Sequence, residues 1–324
     1  MTSSSATMST TGGEAARGTD PSVVAATGHI GSDRNARRRR SRERKWWTMT
    51  AEPIVVGVDD SPDASKALDW AVSWAAAVGS PVRMIASEAV PPGRTAESPG
   101  LGDQARAAID LQVARLRKVA PDAQVETEAL VAHPVSALIA ASQGAGAVVL
   151  GTRGVGAYQG SVIGSISGAV AASAHCPTII ITSSAPSAYD PDGPIVVGFD
   201  GSDSALGAAR LAVSAAAAEG RSVRLLQAEV GTTSPDEPLD GLVDELRGEH
   251  PDVEIELTAS EGSAVGALTS ASRSAAFVVV ASQGHRGVPG FLLGSTTRAL
   301  VQSAQAPVIV LTARSEKRWP VRTD

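Results

Sequence analysis

The sequence predicts two tandem α/β domains, each a five-stranded parallel sheet flanked by helices. Three observations carry this. The first is an internal repeat: Pro53-Ile54-Val55-Val56-Gly57-Val58-Asp59-Asp60-Ser61 returns 141 residues later as Pro194-Ile195-Val196-Val197-Gly198-Phe199-Asp200-Gly201-Ser202. The second is alternation of short apolar runs with segments of helical spacing, which implies parallel strands joined by right-handed crossovers. The third is composition: of 324 residues 43% are hydrophobic but only 3% aromatic, so Ala and Val must fill the core. That mix suits buried parallel strands under Ala-rich helices.

Residues 54–58 form a short apolar run ended by polar turn residues, a buried strand. Residues 64–77 carry Ala67, Leu68, Ala71, Trp74 and Ala75 at helical spacing, with Ser61-Pro62 as N-cap and first turn. Trp70 and Trp74 share this helix and read as packing residues. A second strand is expected at 82–86. A helix follows at 104–119, with Leu111, Ala114, Leu116 and Val119 on or near its apolar stripe. Residues 125–131 form the third strand, 134–142 a short helix, 147–150 the fourth strand, 164–173 a helix and 178–182 the fifth strand.

The second copy follows the same order and ends with a strand at 308–312. Its offset falls from 141 to 130 once Gly154 is matched with Gly284 and Gly164-Ser165 with Gly294-Ser295. It has therefore lost eleven residues between the equivalents of Val90 and Pro121, where the first copy carries Pro91-Pro92-Gly93-Arg94. The domains are placed at 53–183 and 194–313. Residues 184–193 form a linker and 314–324 a C-terminal tail.

One cysteine, Cys176, excludes an internal disulfide framework and any Cys-rich zinc site. It reads as a small buried residue. The five histidines show no metal-ligand spacing. No apolar run approaches the ~18 residues of a membrane span, and the polar N-terminus lacks the apolar core of a secretory signal. A cytoplasmic protein is expected. Residues 1–50 hold nine Lys/Arg against four Asp/Glu, a local +5 that leaves −11 for the remainder. The folded body is therefore a poor nucleic-acid partner. The N-terminal segment, basic at residues 37–45 and polar before them, is expected to be disordered, or untranslated if Met49 is the start.

The chemistry concentrates where the fourth strand of the first copy ends. Gly151-Thr152-Arg153-Gly154 is followed by nine residues and then Gly164-Ser165, which opens a helix. Open parallel sheets bind ligands at the carboxyl ends of their strands. Glycines there admit an anion close to backbone N–H groups, and a helix N-terminus adds donors and partial positive charge. Ser165 and Ser167 add hydroxyls, and Arg153 a charge-assisted contact. This set suits a di- or triphosphate. Asp59, at the end of the first strand, suits a ribose hydroxyl; a turn or helix-cap role is the simpler alternative. There is no phosphate-loop lysine motif, and no catalytic Ser/His/Asp or Cys/His set assembles from the sequence.

The Val-Gly-Val-Asp-Asp-Ser opening, the Gly151/Gly154/Gly164-Ser165 pattern and the closing Cys-Pro-Thr-Ile-Ile-Ile-Thr strand resemble the universal stress protein family. The resemblance covers about residues 53–183 and 194–313, so the chain is similar to a tandem member. It implies an adenine-nucleotide-binding, flavodoxin-like or Rossmann-like fold. The phosphates would lie on Gly151, Gly154, Gly164, Ser165 and Ser167, and adenosine near Val58, Asp59 and Ser87. With the neighbours Gly57, Arg153 and Ile166, this is the first candidate site. The second comprises Gly198, Asp200, Ala228, Gly284, Gly294, Ser295, Thr296 and Thr297. The ligand implied is ATP, with Mg2+ as its companion ion.

The second copy departs at Ala281, which replaces Gly151, and at Gln283, which replaces Arg153. A methyl at 281 is expected to crowd the nucleotide or to forbid a positive φ, so the first copy should bind ATP more tightly. His285, in the second loop, has Val155 as its counterpart. The fifth strands are strongly apolar sheet edges, which invite pairing. The expectation is pairing of the two copies through these strands, or a homo-oligomer. The functional expectation is a nucleotide-dependent regulatory module in stress physiology and not an enzyme. The alternatives are a slow ATPase and a nucleotide-free scaffold acting through strand pairing.

Overall fold

Each apolar run becomes a strand and each periodic segment a helix in the computed structural model, which describes residues 52–154, 163–229, 238–283 and 293–315. The basic N-terminal segment, Gly284, His285 and the tail beyond residue 315 lie outside the described residues, as does the side chain of Ala228. The first half runs β1 (Ile54–Gly57), α1 (Pro62–Val78), β2 (Val82–Glu88), α2 (Asp103–Val119), β3 (Val125–Val131), α3 (Pro134–Ala141), β4 (Ala147–Gly151), α4 (Ser165–Ser173) and β5 (Thr178–Ile181). The second half repeats this as β6 (Ile195–Phe199), α5 (Asp203–Glu219), β7 (Val223–Glu229), α6 (Pro238–Glu249), β8 (Ile255–Glu261), α7 (Ala264–Ala271), β9 (Phe277–Ala281), α8 (Ser295–Ser303) and β10 (Val308–Leu311).

Local chemistry explains the boundaries. Ser61 and Ser202 cap α1 and α5, their hydroxyls accepting from the N–H groups of Ala64 and Ala205. Both helices end at a left-handed glycine, Gly79 at φ 73° and Gly220 at φ 70°. The repeat also preserves an ion pair with its charges exchanged. Arg115 on α2 grips Asp69 on α1 through two bonds of 2.8 and 2.7 Å. At the corresponding positions Arg210 on α5 meets Glu245 on α6 at 2.9 Å.

Within each half the strands are parallel and ordered 3-2-1-4-5. The two halves then join edge to edge into one ten-stranded sheet, because β5 and β10 pair antiparallel. Ile179 lies opposite Ile309, its own counterpart in the repeat, so a pseudo-two-fold axis passes between them. Two symmetric bonds flank it. Thr182 Oγ1 donates to the Ala304 carbonyl at 2.8 Å, and Thr312 Oγ1 to the Ala174 carbonyl at 2.9 Å. Both bonds are buried and cross between the halves.

The central strands are buried on both faces, whereas the outermost strands β3 and β8 are largely half-buried or exposed. On one face, a single apolar cluster runs beneath both halves, from Ile54, Leu68 and Trp70 through Ile179 and Ile309 to Ile195 and Leu225. On the other there are two clusters, one around Val55, Leu138 and Val148 in the first half and one around Val196, Leu268 and Val278 that also takes in Ala171 and Ile180 from the first half. Trp70 and Trp74 are buried packing residues with ring centroids 5.4 Å apart.

The expected stripe on α2 needs correction. Leu111 and Val119 are exposed, as is Ala114, and the buried face is Ala105, Ala108, Ile109, Gln112 and Leu116. A polar residue takes the central core position because it is fully bonded there. Gln112 Nε2 donates to the Asp59 carbonyl at 2.8 Å, and its side chain also exchanges hydrogen bonds with the Ser65 hydroxyl.

The segment between the halves is a clamp. Tyr189 stands edge-on to Trp70 with centroids 5.9 Å apart, and its N–H donates to Ser73 Oγ at 2.7 Å. Its hydroxyl donates to Glu219 at 2.5 Å and accepts from Arg221. Arg221 is almost wholly buried; it also bonds Glu219 and the carbonyls of Asp190 and Gly193. Tyr189 thus ties α1 of one half to the end of α5 in the other.

Two outcomes follow from this packing. Ile309→Ala is expected to lower stability by about 2–5 kcal/mol in urea denaturation, as for other buried Ile truncations. Burial, and next the negative charge of Glu219, push the Tyr189 phenol well above its ordinary 10.0, against the opposing pull of Arg221. The folded chain therefore holds a proton that the unfolded chain releases near pH 10. Stability should be unaffected by this group below about pH 10 and should fall as the pH rises past it. Tyr189→Phe should remove that alkaline component from the stability–pH profile.

Candidate functional site

In the order 3-2-1-4-5 the chain turns opposite ways out of β1 and β4, and the crevice between their carboxyl ends is the place for a ligand. A cavity of about 1140 Å³ occupies that place in the first half. All eleven residues of the first candidate site line it: Gly57, Val58, Asp59, Ser87, Gly151, Arg153, Gly154, Gly164, Ser165, Ile166 and Ser167. Residues a hundred positions apart meet there because β1, β2 and β4 are neighbours in the sheet.

The glycines are required by close approach. Gly151 is not among the glycines of positive φ. A methyl on it would fall 2.7 Å from the backbone of Asp63 in the first turn of α1. The expectation of a forbidden φ at this position is thus replaced by a close helix–strand contact. The second half carries that methyl at Ala281, so the opening of α5 must stand farther from β9 than α1 does from β4. A methyl on Gly154 would meet Asp59 Oδ2 at 2.5 Å, which sets the glycine loop directly against the first-strand carboxylate. Asp59 is oriented by its own turn: Oδ1 accepts from the Ser61 N–H at 2.9 Å. The ligand role and the turn role expected for it are therefore compatible.

The helix that opens beyond the loop is short of caps. Gly164 occupies the N-cap of α4 and, among the described residues, no side chain caps it. The first-turn N–H groups of a helix have no intrahelical acceptor, and Ser165, Ile166 and Ser167 present theirs where the cavity begins. The hydroxyls divide. Ser165 is exposed. Ser167 is buried and donates to the Gly151 carbonyl at 2.7 Å, which fastens α4 to the end of β4. The hydroxyl proton expected for a phosphate is thus already engaged, leaving the backbone N–H as the donor at Ser167. Ser87 likewise donates its hydroxyl proton to the Ala132 carbonyl at 2.6 Å, so it meets a ligand as an acceptor or through its backbone.

Sequence reasoning missed Asp63. Its Oδ2 accepts from Thr152 Oγ1 at 2.7 Å and from the Arg153 N–H at 3.2 Å, and lies 3.8 Å from Arg153 Nε. Arg153 Nη2 donates onward to Ser183 Oγ at 3.0 Å. Lys66, one turn along α1, donates to the carbonyls of Thr182 and Ser183 at 3.2 and 2.7 Å. Burial lowers the Lys66 pKa below its ordinary range, and the nearby charge of Asp63 partly restores it. Glu88 also went unremarked. Its Oε2 accepts from the N–H groups of Gly102 and Gln104, which caps α2 against the cavity wall.

The second half repeats the frame. Asp200 Oδ1 accepts from the Ser202 N–H at 3.1 Å. Gly294 N–H donates to the Ser282 carbonyl at 2.9 Å, as Gly164 does to Thr152 at 2.7 Å. Thr297 Oγ1 donates to the Ala281 carbonyl at 2.9 Å, the counterpart of the Ser167 bond. Gly198 follows the β6 core residues, and Ser295 and Thr296 open α8. The charges do not repeat: Asp63, Lys66 and Arg153 correspond to Ser204, Gly207 and Gln283. Gln112 corresponds to Leu242, which is buried and apolar.

Gly151→Ala is expected to cost about 1–3 kcal/mol, because backbone and not a flexible side chain stands in the way. Ala281→Gly in the second half should change stability by less than about 1 kcal/mol, the ordinary cost of a glycine. Guanidinium denaturation of the two variants checks the pair.

Comparison with known proteins supplies the remaining context. A family model described as the universal stress protein family matches residues 50–182 and 193–312. A universal stress protein of Mycobacterium tuberculosis is 32% identical over 299 residues, spanning 79% of this chain and 94% of its own length. The crystal structure of a universal stress protein from Archaeoglobus fulgidus matches 81% of this chain and 97% of its own, with a TM-score of 0.59 at 18% identity. A universal stress protein from Archaeoglobus fulgidus solved in complex with dAMP matches 37% of this chain and 98% of its own, at 26% identity and a TM-score of 0.29.

Proposed function

This chain belongs to the universal stress protein family, and on that premise we propose that its first half binds ATP as a regulatory ligand in stress physiology. The observation that carries the reading is the convergence of the glycine loop, a helix start that no described side chain caps and a fixed carboxylate on one cavity at the sheet's switch point. Each element has a task. The first-turn N–H groups of α4 and the Gly154 backbone receive the phosphates. Asp59 accepts from the ribose hydroxyls. The backbone near Val58 and Ser87 faces the base.

Among the described residues no three His, Cys, Asp or Glu side chains gather to hold a metal ion. A Mg2+ ion would arrive with the nucleotide, held by its phosphates and water with at most one or two carboxylates. We read the site as a binding module and not a catalyst, in a cytoplasmic protein. No described helix is long and apolar enough to cross a membrane. A homo-oligomer would need a surface other than β5 and β10, since these strands already pair within the chain.

The test begins with protein purified without added nucleotide, denatured, and its released small molecules counted by chromatography and mass spectrometry. About one adenine nucleotide per chain is expected, from the first half alone; calorimetric titration with ATP checks protein that arrives empty. Gly154→Ala and Asp59→Ala should each weaken ATP binding in protein that stays folded, the clash at 154 being relieved by a shift of the Asp59 carboxylate. Unaltered affinity in both variants would refute the site. Recovery of ADP, followed by turnover of labelled ATP, would refute the reading as a binding module.

A further inference from the structure

The three charges that the second half lacks surround one turn of the first. Asp63 and Lys66 lie on α1, and Arg153 sits between the two glycines of the loop. Together they sum to +1, whereas Ser204, Gly207 and Gln283 sum to zero. Arg153 lines the cavity with its side chain half exposed, so its guanidinium can reach an anion there. Asp63 fixes where that guanidinium starts from. It holds the Thr152 hydroxyl and the Arg153 N–H, and its carboxylate faces Arg153 Nε. A second anchor, Ser183 Oγ, holds the far end. Lys66 is spent on two carbonyls and offsets the charge of Asp63 from the other side.

We propose that Asp63 is a positioning residue that presents Arg153 to the distal phosphates, and that this pair makes the first half selective for nucleoside triphosphates over monophosphates. The inference rests on the adenine-nucleotide reading of the cavity. The division of labour follows from chemistry. The uncapped start of α4 offers backbone donors to one phosphate of any nucleotide, whatever the chain length. A guanidinium at the rim adds a charge-assisted contact only when further phosphates extend to it. A bare carboxylate at Asp63 would repel those phosphates; paired with Arg153 and balanced by Lys66, it orders the cation instead.

The test is a double-mutant cycle on the full chain, with ATP and AMP titrated separately by calorimetry. Arg153→Gln reproduces the second-half residue at an exposed position, and Asp63→Asn is isosteric, so both variants should fold. Wild-type protein should favour ATP over AMP. Arg153→Gln should weaken ATP about tenfold, as expected for a lost hydrogen bond to a charged group, and AMP less than twofold. Asp63→Asn should lose most of the same preference, and the double variant should be no worse than Arg153→Gln, the mark of two residues acting as one unit.

Tighter ATP binding in Asp63→Asn would mean that the carboxylate only repels, and would overturn the assignment. Equal losses for ATP and AMP, or additive losses in the double variant, would also overturn it. Wild-type protein that binds both nucleotides equally would refute the selectivity and leave the binding reading intact. Protein that binds neither would refute both.

Discussion

An apolar strand at the end of a sheet cannot be left bare, and the architecture follows from how this chain meets that constraint. β5 and β10 are buried along their full length, with no charge to blunt either edge. Each completes the other's hydrogen bonding. Because the partner is a repeat of the same sequence, the pairing is self-complementary: Ile179 meets Ile309, and the Thr182 and Thr312 hydroxyls reach across reciprocally about the pseudo-two-fold axis. The union makes one apolar cluster continuous under both halves. It also places the carboxyl ends of β4 and β9, where the glycine loops begin, within one sheet.

The site depends on the same sheet in a simpler way. Only adjacency of β1 and β4 brings Asp59 to Gly154, and only a glycine at 151 lets the start of α1 close on the end of β4. That closure delivers Asp63 to Thr152 and Arg153. Gln112 supports the other side by holding the Asp59 carbonyl. In the second half Ala281, Ser204, Gln283 and Leu242 stand at the four positions, and the backbone frame of Gly294 and Thr297 persists without them. The backbone bonds belong to the fold; the charged and amide side chains are particular to one half.

What was legible in the sequence was whatever short-range pattern determines. Apolar runs marked the inner strands, and the two-offset repeat located the insertion before α2. The glycine spacing and Asp59 marked the cavity. What escaped was set by partners far along the chain. The face of α2 was misread because Gln112 is buried, and its burial is tolerable only through partners on the β1–α1 connection and α1. Asp63 drew no notice because an acidic residue is ordinary at a helix start, and its partners lie about ninety positions away. Tyr189 sat in a Ser/Pro/Asp/Gly stretch that reads as a tether, and nothing local announces a buried Arg221. A signal for the charge cluster was present: aligning the repeat shows Asp63, Lys66 and Arg153 exchanged together for uncharged residues.

Covalent joining explains why such an exchange is tolerable. Two identical subunits pairing through their fifth strands would carry every substitution twice. In a tandem chain the halves are held at high effective concentration by the connecting segment, which here is itself bonded to both through Tyr189 and Arg221. One half can then change its loop chemistry while the strand pairing, which uses only apolar side chains and threonine hydroxyls, stays symmetric. The charged loop and the strand seam also touch. Arg153 bonds Ser183, Lys66 bonds the carbonyls of Thr182 and Ser183, and the Thr182 hydroxyl bonds Ala304 in the other half. A ligand that draws Arg153 away from Ser183 therefore acts on the residue next to the interhalf bond. The charges particular to the first half thus connect, through Thr182 and Ser183, to a bond that crosses between the halves.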